Sequence, residues 1–215
     1  MSEQTSGLES SYDCVAENYA AEFGDELQRK PFDCEVLDEF AARVRDQGPV
    51  CEIGCGPGQV SRYLQDRGVS MRGIDLSAEM IKCARRSNPD ISFQRGNMLA
   101  LDLPNASLAA IVCFYAIIHL GRDDAALALK EMNRVLEPGG LLLLSFHGGE
   151  GALHRDQWYD KPVSIDVTLF ANDEMSSYLE SSGFEIEQIV EREPYDFEYP
   201  TPRVYLLGRK PSQAS

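Results

Sequence analysis

Between Pro49 and His147 the sequence alternates short apolar runs with stretches of helical spacing, and this alternation limits the possible folds most. "PVCEI", "SMRGID", "ISFQRG", "LAAIVCFY" and "LLLLSFH" read as strands. "QVSRYLQDRG", "SAEMIKCARRS" and "DDAALALKEMNRVL" read as helices among them. The fourth strand run is apolar on both faces, as a central parallel strand must be. Strands alternating with helices predict a parallel, doubly wound sheet. After the helix "ANDEMSSYLESSG", the strands 184–193 and 203–210 follow each other with only "PYDFEYPTP" between them, so they are predicted to pair antiparallel.

Two helices are predicted ahead of the sheet. "SSYDCVAENYAAEF" places Tyr12, Val15, Ala16, Tyr19 and Phe23 on one stripe, and "CEVLDEFAARVRD" is stopped by Gly48 and Pro49. The expected fold is α/β, a Rossmann-like doubly wound sheet, mostly parallel with a C-terminal antiparallel strand pair. An N-terminal helical cap (1–48) completes one domain over 1–215. The segment "HGGEGALHRDQWYDKPVSID" (147–166) fits no element and reads as a lid-like insertion, because a long loop in a compact domain is usually functional or mobile.

The 215 residues carry 20 basic against 35 acidic side chains, a net charge of −15. Such a surface repels phosphate backbones, so no nucleic-acid partner is expected. The six cysteines form no Cys-x-x-Cys pair, and the three histidines have no zinc-ligand spacing, so no metal is expected. Free thiols suit a reducing cytoplasm. The first ten residues show no signal-peptide pattern and no apolar run reaches spanning length, so no membrane partner is expected.

The run "VCEIGCGPGQ" (50–59) places a glycine loop at the end of the first core strand, the end where ligands bind in open α/β sheets. Its glycines are Gly54, Gly56 and Gly58, with Gln59 where a dinucleotide fingerprint has its third glycine. Asp75, nineteen residues beyond Gly56, ends the second strand and can accept both hydroxyls of a ribose diol. The displaced glycine and the preceding Glu52 argue against a pyrophosphate. They favour a ligand carrying an ammonium and a sulfonium.

With these residues in hand, the chain resembles the class I S-adenosylmethionine-dependent methyltransferases, from about Tyr12 to Arg209. "EIGCGPG" resembles the first motif and "GIDLS" the second. Residues 96–113 resemble the third and fourth, and "RVLEPGGLLLLS" the region around the fifth strand. "YDCVAENYA" resembles the cap of small-molecule and quinone-biosynthesis members. The resemblance implies S-adenosyl-L-methionine as cofactor and S-adenosyl-L-homocysteine as product. It implies Gly54 and Gly56 against the methionine moiety, oriented by Glu52, with Asp75 on the ribose. It also implies Leu76 and Met80 against adenine, Asn97 and Met98 at the adenine edge, and Phe114 at the methionine end. Tyr12 and Tyr19 would close over the cofactor. Asn97 departs from the commoner Asp, although an amide can still bind the adenine amine.

Bland readings stand beside these. Met80, Met98, Tyr12 and Tyr19 also suit plain packing, and Asp75 could cap the next helix beside Ser77. His119 is the candidate catalytic base or substrate contact, with loop fixation as its alternative. Arg192, Tyr195, Tyr199 and Arg203 are candidates for the acceptor side, against ordinary loop packing. The predicted function is methyl transfer to a small-molecule acceptor at O, N, S or C, by a monomer or homodimer. The alternatives are a non-catalytic S-adenosylmethionine-binding protein and an NAD(P)-dependent oxidoreductase.

Overall fold

The computed structural model describes residues 3–212, with side chains from residue 6 onward. Expectations about the first two residues, including part of the signal-peptide reading, lie outside the described residues. Seven strands form one sheet in the order β3-β2-β1-β4-β5-β9-β8. They are β1 (Val50–Ile53), β2 (Met71–Asp75), β3 (Ser92–Arg95), β4 (Leu108–Phe114), β5 (Leu136–His147), β8 (Glu185–Arg192) and β9 (Arg203–Arg209). The first five pair in parallel. β9 runs antiparallel between β5 and β8. β1 lies between β2 and β4, where the winding reverses, so the loop after it opens into the sheet's crevice.

The sheet is buried on both faces. α5 (Arg122–Val135) and α6 (Asn172–Ser181) cover one side through Leu129, Met132, Met175 and Leu179. α2 (Pro31–Val44), α3 (Gln59–Gln65) and α4 (Ala78–Ser87) cover the other through Leu37, Phe40, Leu64 and Ile81. Ser77 caps α4, its hydroxyl accepting from Met80 N at 3.1 Å. α2 starts at Pro31, three residues before its expected start, because proline suits the first helical turn.

β5 begins at Leu136, not at Leu141 as expected. "EPGG" is absorbed into the strand by a shift of register against β4 between Leu108 and Ala110. Gly139 N donates to Lys210 O and Lys210 N to Gly140 O, so the expected turn is paired with the chain just beyond β9.

α1 (Glu3–Phe23) is the cap's first helix and lies against α4 and β7. Val15 and Ala16 are buried beneath it. Val15 packs with Val163 and Ile165, and Ala16 with Met80 and Cys83. Burying an aliphatic side chain of this kind contributes ~1.5–3 kcal/mol. The pairs Glu17–Arg86 and Glu9–Arg95 reach solvent, where ion pairs contribute little, so apolar packing is the main anchor.

The segment 147–166, expected as an irregular insertion, is mostly a β-hairpin. β6 (Ala152–Trp158) pairs antiparallel with β7 (Lys161–Thr168). The two-residue turn between them holds Tyr159 and Asp160 at φ 52° and 56°. Two successive positive φ values match the twist of a tight hairpin. That turn usually carries Asn-Gly or Asp-Gly, so "YD" gave no turn signal. The hairpin packs on α1, with Ser11 Oγ accepting from Ser164 N at 2.8 Å.

Candidate functional site

The glycine loop is tied to the second strand by Gly54 N and Cys55 N, which both donate to Ile74 O. Gly54 has φ 75°, and a Cβ there would sit 2.2 Å from the Ala116 Cβ. Gly58 has φ 86°, and a Cβ there would meet Phe93 Cζ at 2.8 Å. Both positions therefore need glycine for conformation and for space.

Glu52 is buried under this loop, 2% exposed. Its Oε2 accepts from Ser61 N at 2.8 Å and from the Ser61 hydroxyl. Ser61 thereby ties β1 to α3. Burial pushes the Glu52 carboxyl up to about 8, against the pull of the Ser61 bonds. Asp75 holds the loop from the other side. Its Oδ2 accepts from Gly56 N at 2.7 Å and its Oδ1 from Ser77 N at 2.8 Å. Burial raises it to about 6 while those amides oppose the shift. Each oxygen retains acceptor capacity, so bracing the turn and accepting a diol are compatible.

A cavity of about 970 Å³ opens above the loop. Tyr12, Tyr19, Glu52, Gly54, Gly56 and Asp75 all line it. So do Leu76, Met80, Asn97, Met98, Phe114 and His119. The structure thus brings the predicted catalytic and cofactor-binding residues to one chamber. Met80 is also core, 1% exposed between α1 and α4. Asn97 Oδ1 accepts from Leu99 N at 2.9 Å, leaving its amide NH₂ without an assigned partner. Tyr19 packs edge-on to Tyr12 and to Trp158, with centroids 6.0 and 5.4 Å apart. Trp158 stacks on Tyr159 at 5.2 Å and anchors the hairpin to this cluster.

His119 Nδ1 lies 3.0 Å from Asp166 O, and a carbonyl only accepts, so Nδ1 carries the proton. Nε2 is then the lone pair, and it accepts from the Tyr12 hydroxyl at 2.7 Å. Desolvation lowers the His119 pKa, which favours the neutral ring. His119 therefore fixes the hairpin to the sheet and also meets Tyr12 at the cavity.

The cavity is also lined by Arg203, a candidate from sequence, and by residues with little sequence signal, among them Lys30, Tyr115, His147 and Glu198. Tyr199 lines it as well, whereas Arg192 and Tyr195 stand behind the lining. Arg192 Nη2 donates to the fully buried Asp33 at 2.8 Å, and Arg192 Nη1 to Glu198 at 2.7 Å. The Tyr115 hydroxyl donates to Asp33 Oδ1 at 3.2 Å. Asp33 lies just ahead of the helix expected from sequence and carries no signal there, and only its 0% exposure sets it apart. His147 Nδ1 meets Thr201 Oγ1 at 2.7 Å, and burial with nearby Arg203 drives its pKa down to about 3. His154 pairs with Asp166 on the hairpin. Among the described residues no group of three or more His, Cys, Asp or Glu could hold a metal ion.

These features can be tested against S-adenosylmethionine. A loop flanked by two carboxyls, the buried Glu52 and the half-buried Asp75, suits a ribose diol and disfavours the fixed negative charge of a pyrophosphate. The cavity stands near the top of the ~300–1,000 Å³ range of small-molecule sites, which leaves room beside a nucleoside. The residues fit the cofactor.

Residues 50–140 match a family described as a methyltransferase domain. A Mycolicibacterium smegmatis protein, designated a probable S-adenosylmethionine-dependent methyltransferase, is 32% identical over 139 residues. That match covers 64% of this chain and 52% of the relative. A malonyl-[acyl-carrier protein] O-methyltransferase of Enterobacter lignolyticus is 33% identical, over 55% of this chain and 45% of its own. A dTDP-3-amino-3,6-dideoxy-alpha-D-glucopyranose N,N-dimethyltransferase of Streptomyces fradiae is 32% identical, over 54% and 47% respectively. The chain spans about half the length of the curated relatives it matches. Among solved structures, a methyltransferase of Methanosarcina mazei superposes with TM-score 0.71 at 20% identity, over 78% of this chain and 95% of that one. This last likeness speaks for the fold. Residues 50–140, which contain the glycine loop and Asp75, thus match a methyltransferase domain, on a fold shared with S-adenosylmethionine-dependent methyltransferases.

Proposed function

We propose that this chain transfers a methyl group from S-adenosylmethionine to a small-molecule acceptor. The observation that carries the reading is Asp75. It ends β2 with both oxygens anchored on loop amides and its remaining lone pairs at the cavity. When bound, the cofactor supplies an electrophilic methyl on a sulfonium. The chain supplies orientation and a dry chamber, effects worth up to ~7–11 kcal/mol in ideal geometry. Gly54 and Gly56 let the backbone approach, Leu76 and Met98 line the apolar wall, and Asn97 offers its free amide. Phe114, Tyr115 and Tyr199 face the acceptor end.

Where the acceptor must lose a proton, Tyr12 stands between it and His119. The Tyr12 proton is committed to His119 Nε2, so the phenol oxygen presents lone pairs to the cavity. The acceptor's proton would pass to Tyr12 Oη as Tyr12's own proton passes to Nε2. The relatives' names include an O-methyltransferase and an N,N-dimethyltransferase, which supports O or N as the methylated atom. The free cysteines support a reducing cytoplasm as the setting. No described helix is long and apolar enough to cross a membrane.

The test is titration calorimetry. S-adenosylhomocysteine is expected to bind and NAD not to. Asp75→Ala is expected to weaken S-adenosylhomocysteine at least tenfold, about 1.4 kcal/mol. NAD binding in place of S-adenosylhomocysteine would overturn the reading.

A further inference from the structure

His147 closes β5 and stands in the cavity wall. Its Nδ1 lies 2.7 Å from the Thr201 hydroxyl. That hydroxyl already accepts from Arg203 Nη1 at 2.9 Å. Thr201 is buried, so its own proton needs an acceptor, and Nδ1 is the one at hand. The opposite arrangement, with Nδ1 donating, would strand that proton in the interior at a cost. The Thr201 hydroxyl therefore donates to Nδ1, and the imidazole carries its proton on Nε2. Burial with nearby Arg203 keeps the ring neutral, so it offers one N–H and no charge.

The polar groups around it are engaged. Lys30 Nζ pairs with Glu26 at 2.6 Å and with Glu198 at 3.5 Å. Arg203 donates to Thr201 and to the Tyr199 carbonyl. The Tyr115 hydroxyl is held by Asp33 and Tyr205. His147 Nε2 makes no such bond within the described residues, and it is not among their buried, unpartnered side-chain atoms. It is therefore open to the cavity. Tyr115 packs edge-on against the ring at 5.6 Å and holds its plane.

His147 lies within electrostatic reach of His119, whose Nε2 takes the Tyr12 proton. One chamber thus presents an acceptor, Tyr12 Oη, and a donor, His147 Nε2–H. A complementary ligand gives a proton to the first and a lone pair to the second.

We propose that His147 Nε2–H recognises an oxygen of the methyl acceptor, and that this acceptor is a hydroxy- or amino-carbonyl compound. This rests on the methyl-transfer reading above. The carbonyl oxygen accepts from Nε2–H while the neighbouring hydroxyl or amine faces Tyr12. An amine without such an oxygen leaves Nε2–H unpaired. Thr201 is the positioning residue, because its proton sets the tautomer.

The test joins two measurements on the full chain. NMR of nitrogen-labelled histidine, with S-adenosylhomocysteine bound, is expected to show His147 as the Nε2–H tautomer. Its Nε2 signal is expected to move with salicylamide and anthranilamide, and not with phenol or aniline. Transfer from methyl-labelled S-adenosylmethionine is expected to favour each amide over its parent roughly tenfold, the upper range for one neutral hydrogen bond. His147→Phe keeps the ring's bulk and is expected to abolish that preference. His147→Gln, whose amide restores an N–H, is expected to recover part of it. S-adenosylhomocysteine binding reports that both variants are folded. An Nδ1–H tautomer, an Nε2 signal that neither amide moves, or a preference that survives His147→Phe overturns the proposal. With the expected signals and no transfer to any probe, the oxygen site stands and the transfer reading fails.

Discussion

Asp33→Ala is expected to destabilise the fold by about 3–5 kcal/mol, nearer the lower figure. Asp33 is fully buried in α2 and accepts from Arg192 at 2.8 Å and from the Tyr115 hydroxyl at 3.2 Å. Removing one partner of a buried pair leaves the other charge uncompensated, and that penalty exceeds the worth of the pair itself. Arg192 keeps Glu198 at 2.7 Å, which limits the loss. The Tyr115 hydroxyl keeps Tyr205 at 2.8 Å. Urea unfolding is the measurement: the midpoint falls while the slope against denaturant is unchanged. A loss below about 1 kcal/mol, the range of an exposed ion pair, would show that the network is solvated.

The second large effect is a pH dependence set by Glu52. Its carboxyl rises from an ordinary 4.5 to about 8 in the folded chain. Between those values the folded state holds a proton that the unfolded state has lost. Stability therefore falls as pH rises through that window and levels off above about 8. The slope is at most ~1.4 kcal/mol per pH unit, a few kcal/mol across the window. His147 acts in the opposite sense. Its pKa falls from 6.5 to about 3, so it adds stability as pH rises between those values. The two oppose each other below about 6.5, and the net decline belongs to pH 6.5–8. Glu52→Gln keeps an acceptor for Ser61 and has no proton to lose. It is expected to abolish the decline, so its advantage over the unmodified chain grows up to pH 8. Parallel stability profiles for the two chains would show that Glu52 is ionised in the folded state.

What was legible in the sequence was what the local backbone demands. The loop glycines are legible because no other residue fits at Gly54, and Asp75 because it ends a strand beside that loop. The antiparallel ending followed from two strands with no helix between them, and the structure bears it out. What depends on distant partners stayed hidden. Asp33 and Arg192 come together from 159 positions apart, with Glu198 beside Arg192, and each reads alone as a surface charge. The hairpin was hidden because Tyr159 and Asp160 carry a turn that sequence reasoning assigns to glycine. His119 was legible as a residue after the fourth strand, but its bond to Tyr12 joins two segments 107 positions apart.

The central claim is that this cavity moves a methyl group rather than only holding a nucleoside. Incubating the chain with S-adenosylmethionine labelled in its methyl carbon, together with a panel of small carboxylic acids, phenols and amines, tests it most directly. The account predicts label in a small-molecule product, with S-adenosylhomocysteine formed in equal amount. Saturable binding of S-adenosylhomocysteine with no label leaving the cofactor across the panel would contradict it and favour a non-catalytic binding protein.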